Sequence, residues 1–198
     1  MANPETITIE PAPAYHTADM VRALNEAQVG STRYECVYGE LIVSPGPSGL
    51  HQIVVSRVFA ALLTYVATHD LPYVVLTSPA DISWGRDDIT VQPDAFVVDR
   101  ASAAALASGA PWTAVGRLPL AVEVISPSSR RTDRFKKRRV YQEQQVPLYW
   151  IVDPDERTTE SWTPDAHFPV IDRERLVWHP KEADEPLEIR LETLFAEP

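Results

Sequence analysis

Apolar residues recur along this chain in two rhythms, one helical and one alternating. Ile53, Val54, Val58, Leu62, Leu63 and Val66 fall at helical spacing, which predicts a long helix from Ser48 to about His69. Thr17 is placed to cap a shorter helix through about Ala27, with Met20, Val21 and Leu24 on one face. RYECV (33–37) and ELIVS (40–44) read as two strands of a hairpin around Tyr38-Gly39. Residues 72–76, 80–84 and 89–98 read as further strands, and 100–108 as an alanine-rich helix. A strand at 118–125, a basic helix at 130–145 and a strand at 149–153 follow, the last ending at the Pro154-Asp155 turn. Short antiparallel strands are expected near 158–163, 175–178 and 187–190, with a terminal turn at 192–196. Residues 1–15, with prolines at 4, 11 and 13, read as extended.

The order is αββαβββαβαβ and then a β-rich tail. Strand 118–125, the basic helix and the strand after it form a βαβ unit, in which a parallel pair takes a right-handed crossover. The earlier strands are hairpin-connected. Together they predict an α/β (α+β) fold, a mixed sheet with helices on its faces. Length allows one well-cored domain over 1–198, with a core at about 17–154 and the tail at 155–198.

Composition narrows the setting. No apolar run approaches eighteen residues, and the N-terminus lacks a basic and then apolar leader, so neither a membrane span nor a signal peptide is expected. A lone cysteine, Cys36, allows no internal disulfide and fits a reducing cytosol, hence a cytoplasmic location. The net charge of −10, from 28 acidic and 18 basic residues, argues against a general nucleic-acid binder. Seven of those basic residues, however, fall within 130–139 beside a single acid, Asp133. Any polyanion binding is expected to run through that helix, Arg138 and Arg139 included, with a solvated helix face as the plainer reading.

Two acids stand inside apolar strand-like runs: Asp94 in VQPDAFVV (91–98) and Glu123 in LPLAVEVISPS (118–128). A buried carboxylate costs several kcal/mol (roughly, by transfer arguments) unless a cation, a metal or a proton compensates it. Singly, Asp94 reads equally as a strand-edge acid and Glu123 as half of a structural ion pair. Jointly, with a lysine-rich helix directly after them, they predict a site. Mg²⁺ needs only one or two protein carboxylates, so Asp94 and Glu123 on adjacent strands would suffice, with the Val124 carbonyl completing the shell. A nearby lysine would position water or stabilise developing charge.

These segments, with YECVYGELIVSPGPSGLHQ (34–52), VEVISPSS (122–129), Lys137, Tyr141 and VPLYWIVDP (146–154), resemble the Uma2-like family, nucleases of the PD-(D/E)XK superfamily. The resemblance spans about Tyr34 to Pro154 and lies in the ordered set rather than in any one motif. It implies a restriction-endonuclease-like mixed β-sheet flanked by helices, and Mg²⁺ (or Mn²⁺) on Asp94 and Glu123. Where the commoner pattern has a lysine two residues after the second acid, this chain has Ile125; the Uma2-like register takes Lys137 from the following helix instead. Glu40 matches a further acid and is the third candidate metal ligand, while His51 and Gln52 match a His-Gln pair at the start of the long helix. Tyr38 stands where the family usually has Asp. The implied activity is a metal-dependent endonuclease acting on nucleic acid, with DNA the expected substrate; the alternative is a non-catalytic nucleic-acid-binding or assembly protein retaining the fold. Duplex cleavage by paired sites, and apolar tail residues Trp162, Val170, Leu176, Trp178 and Phe195, suggest a homodimer.

Overall fold

The structure is a computed structural model describing residues 15–197; the reading of 1–14 as extended lies outside the described residues. Thr17 caps α1 (Ala18–Ala27), its hydroxyl accepting the Met20 N–H at 3.3 Å. β1 (Arg33–Val37) and β2 (Glu40–Ser44) form the expected hairpin. Tyr38 and Gly39 both take left-handed backbone angles (φ 54° and 78°), as a two-residue turn matched to the strand twist requires. Ser48 caps α2 (Gly49–Thr68), whose Val54, Val58, Leu62, Tyr65 and Val66 are buried.

β3 (Tyr73–Thr77), β5 (Ala95–Asp99), β6 (Leu120–Val124), β7 (Tyr149–Asp153), β8 (Thr158–Trp162) and β9 (Val170–Asp172) form a six-stranded sheet in that order. Only β6 and β7 run parallel, which is the predicted crossover within a mixed sheet. Alternation along the strands feeds two apolar layers. Ala95, Val97, Val122, Val124 and Trp150 face α2, while Phe96, Val98, Ala121, Tyr149 and Ile151 face the hairpin and the helix after β6. Asp99 caps α3 (Arg100–Ala107).

Residues 89–98 are not one strand. β4 (Ile89–Thr90) pairs with β1 in a three-stranded sheet, β2-β1-β4, and the chain then crosses to the larger sheet as β5. Pro93 has no N–H to give a ladder, so the pairing breaks there and the strand changes sheets. Residues 80–84 contribute only the bridge Ile82↔Val91. The basic helix opens as a π-helical turn, Thr132–Lys137, before α4 (Arg138–Glu143).

In the tail, β10 (Arg175–Trp178) pairs with β11 (Leu187–Arg190), and the expected turn is α5 (Leu191–Leu194). Leu176, Trp178 and Phe195 pack into the α2 layer and Trp162 into the other, so four of the five apolar residues that suggested a dimer are buried in their own chain. Val170 alone of them is exposed. α2 is by length and mean hydropathy (1.5) apolar enough to cross a membrane, against expectation. One stripe of it covers the sheet.

Candidate active site

Antiparallel pairing of β5 with β6 sets Ala95 opposite Val122, so the residues next along the two chains are Asp94 and Glu123. The sheet change at Pro93 thus leaves Asp94 just ahead of β5, free of the ladder. Its Oδ2 accepts the Val124 N–H at 2.8 Å and lies 3.1 Å from His51 Nε2, and Oδ1 accepts Arg33 Nη1 at 2.9 Å. Burial alone would raise the Asp94 pKa, but the His51 hydrogen bond and the charges of Arg33 and Lys137 outweigh it and hold the carboxyl at about 2. An ionised acceptor requires His51 to present Nε2–H, and Nδ1 is buried with no partner among the described residues.

Glu123 has the opposite balance. It is buried in the apolar layer beneath the hairpin, where Oε1 accepts from Lys137 Nζ and from the Tyr141 hydroxyl, both at 3.0 Å. Burial pushes its pKa well above the carboxylate range; Lys137 opposes this, and Asp133, Asp94 and Glu35 reinforce it. Asp133 is likewise raised by burial. Lys137 reaches Glu35 at 2.8 Å, Glu123 at 3.0 Å and Asp133 at 3.4 Å. Burial would lower its pKa, but these three carboxylates raise it above the ordinary lysine value, so it stays charged. The π turn positions it: Arg138 N–H bonds back five residues to the Asp133 carbonyl, and both Asp133 and Lys137 turn inward.

Sequence reasoning missed Glu35 and Arg33. Glu35 Oε1 accepts the Gln92 N–H at 2.7 Å, whereas Oε2 is buried without a hydrogen bond. The available signal was the period of β1: Arg33, Glu35 and Val37 share one face, and Val37 is core. Glu40, the expected third ligand, lies on the exposed face of β2 and pairs with Lys136. Arg138 stacks over Trp162 (4.7 Å to the ring centroid) and donates to Gln142, apart from the carboxylates. Of the seven cations in 130–139, five are paired with acids of this chain: Arg130, Arg134, Lys136, Lys137 and Arg139. That pairing explains why a basic run sits in an acidic protein, and it reduces what the helix offers a polyanion.

A cavity of about 830 Å³ adjoins Asp94. Arg33, His51, Gln52 and the Ser126–Ser129 turn line it; Glu123 and Lys137 do not. Four buried carboxylates (Glu35, Asp94, Glu123, Asp133) therefore face two permanent cations, Arg33 and Lys137. Among the described residues no three His, Cys, Asp or Glu side chains already converge as metal ligands. The hard oxygen donors, with Glu35 Oε2 buried without a hydrogen bond and only Arg33 Nε nearby at 3.6 Å, nevertheless suit a cation such as Mg²⁺.

No curated protein matches this sequence. Among solved structures, the chain is similar to a crystal structure described as "a putative nuclease belonging to DUF820" from Anabaena variabilis, at 20% identity and a TM-score of 0.71, covering 91% of this chain and 97% of that one. At that identity the likeness speaks for the fold, a large mixed sheet flanked by helices. Residues 21–186 match the model of the family described as "Uma2: Putative restriction endonuclease". With most of its length matched, and with the fold to go with it, this chain belongs to the Uma2 family.

Proposed function

We propose that this protein is a metal-dependent endonuclease that hydrolyses phosphodiester bonds in nucleic acid, with DNA the expected substrate, using Mg²⁺ or Mn²⁺ held by Asp94, Glu123 and Glu35. The observation that carries this reading is the charge imbalance: four buried carboxylates against two cations, at the edge of a cavity, in a member of a family described as nucleases. Glu35 replaces Glu40 in the ligand set because Glu40 pairs with Lys136 at the surface.

When bound, the metal supplies Lewis acidity and makes hydroxide available near neutral pH. Asp94 is held ready by the Val124 N–H and His51, so its carboxylate needs little reorganisation. Lys137 fixes Glu35 and Glu123 and offsets their charge, and Tyr141 fixes the same Glu123 oxygen.

The test is cleavage of supercoiled and linear DNA with Mn²⁺ or Mg²⁺, run beside thermal unfolding. Stabilisation of about 2.7 kcal/mol is expected at a metal concentration a hundredfold above the dissociation constant. Glu35→Gln should shrink the shift, and Glu40→Gln should leave it unchanged. Because burial raises the pKa of the ligand Glu123 well above its ordinary value, metal competes with a proton there, and Mn²⁺ affinity by calorimetry should rise with pH. Affinity independent of pH, or no thermal shift at all, counts against the reading.

One observation favours the non-catalytic alternative: both Asp94 oxygens already have partners within the chain. It predicts nucleic-acid binding with no metal-dependent cleavage and no metal shift. A homodimer now rests on the duplex-cleavage argument alone; a monomer mass by light scattering at micromolar concentration would remove it.

A further inference from the structure

We infer that Arg33, rather than Lys137, is the cation that contacts the substrate's phosphodiester, and that Lys137 is a positioning residue enclosed within the acidic cluster. This rests on the proposed nuclease reading and names the group at that site that receives the phosphate.

Lys137 is 1% exposed, its ammonium is surrounded by Glu35, Glu123 and Asp133, and it does not line the cavity. An ammonium has three protons, and three carboxylate oxygens are in reach of them. Arg33 is placed differently. Its side chain is 22% exposed and lines the cavity together with Asp94 and His51. Nη1 donates to Asp94 Oδ1 and to the Gln92 carbonyl, and Nε lies 3.6 Å from Glu35 Oε2. Neither Nη2 proton has an acceptor among the described residues. The guanidinium is planar with five donors, so Nη1 and Nε can hold the ligand carboxylates while Nη2 keeps two protons to offer a phosphate oxygen.

The rest of the lining strengthens the assignment. Ser48, Ser126, Ser128 and Ser129 bring hydroxyl groups to the same cavity, and no lysine is among its lining residues. Among the described residues Arg33 is the one permanent cation there, and five of the seven cations in the basic segment are paired elsewhere. A phosphodiester entering beside Asp94 therefore meets Arg33 first.

The experiment measures binding of a fluorescent oligonucleotide, single-stranded and duplex, across a salt series with Ca²⁺ replacing Mg²⁺ to limit cleavage. Arg33→Gln is expected to weaken binding roughly tenfold or more, as loss of a charge-assisted hydrogen bond does. It should also flatten the plot of log affinity against log salt by about 0.7 for single strands and about 0.9 for duplex, one phosphate contact's worth. A merely structural arginine would leave that slope unchanged. If Arg33→Gln does not fold, Arg33→Lys decides: it keeps the charge beside Asp94 and Glu35 but cannot bridge to the cavity, so the same drop in affinity is expected. Wild-type affinity and slope in whichever variant folds would overturn the inference while leaving the nuclease reading intact. A wild-type protein that binds no oligonucleotide would overturn both.

Discussion

Replacing Lys137 by methionine is expected to destabilise the protein by about 3–5 kcal/mol at neutral pH, because it leaves buried carboxylates without their counter-ion. Glu35, Glu123 and Asp133 all lie within 3.4 Å of that ammonium, and all three are buried. The loss should shrink on acidification. Glu123 and Asp133 have folded-state pKa values raised above their unfolded ones, so their native environment favours the protonated form below the unfolded value and loses that advantage as pH rises through the folded value. Urea unfolding of Lys137→Met at pH 7 and pH 5 checks this: the gap to wild type should narrow at the lower pH. The pH dependence comes from the acids, since the Lys137 pKa is raised and the lysine is fully charged at both. A loss below about 1 kcal/mol with no pH dependence would mean the ammonium lies at the surface.

Asp94→Asn and Glu123→Gln should part company in the metal-free protein. The Asp94 carboxyl is held at about 2. Its ionised form therefore contributes about 2 kcal/mol of stability, present above the unfolded pKa and lost as pH falls between about 4 and 2. Asp94→Asn forfeits that contribution, and its amide also turns a donor toward Arg33, His51 or the Val124 N–H. Glu123→Gln removes an acid whose burial opposes its ionisation, while Lys137 keeps Glu35 and Asp133, so its stability should stay within about 1 kcal/mol of wild type. Both variants should lose the metal-dependent thermal shift and fall at least a hundredfold in cleavage, a loss typical of removing one preorganised charge from an active site. Two acids read from the sequence as a joint metal-ligand pair thus differ in kind: one is compensated by donors, the other is opposed by burial. Equal stability losses in the two variants would refute that division.

Much of the frame was legible. Caps at Thr17 and Ser48, the Tyr38-Gly39 turn and the β6–β7 crossover follow from local rules, because each is set by residues close in sequence. Asp94 and Glu123 stood out because an acid inside an apolar run asks for a partner. What was hidden is non-local. Glu35 looks like an ordinary hairpin glutamate until β1 is known to pair with β4 and to meet Lys137 from the helix after β6, and Lys137 looks like a surface lysine within a run of cations. The π turn that aims it inward has no signature in helical periodicity. The strand expected over 89–98 failed at Pro93, a residue whose missing N–H was itself visible.

That sheet change divides the cluster's ownership. Arg33 and Glu35 belong to the three-stranded sheet, Asp94 and Glu123 flank the junction of β5 and β6 in the six-stranded one, and Lys137 arrives from the crossover. Residues 35 and 137 meet across a hundred residues of chain, so the complete charge constellation cannot form until both sheets have docked. Before docking, the hairpin carries an acid and an arginine, and β6 carries a lone glutamate, each still free to be solvated. The cluster is thereby tied to a long-range step of folding: a chain caught half-assembled carries the residues of the site without their arrangement.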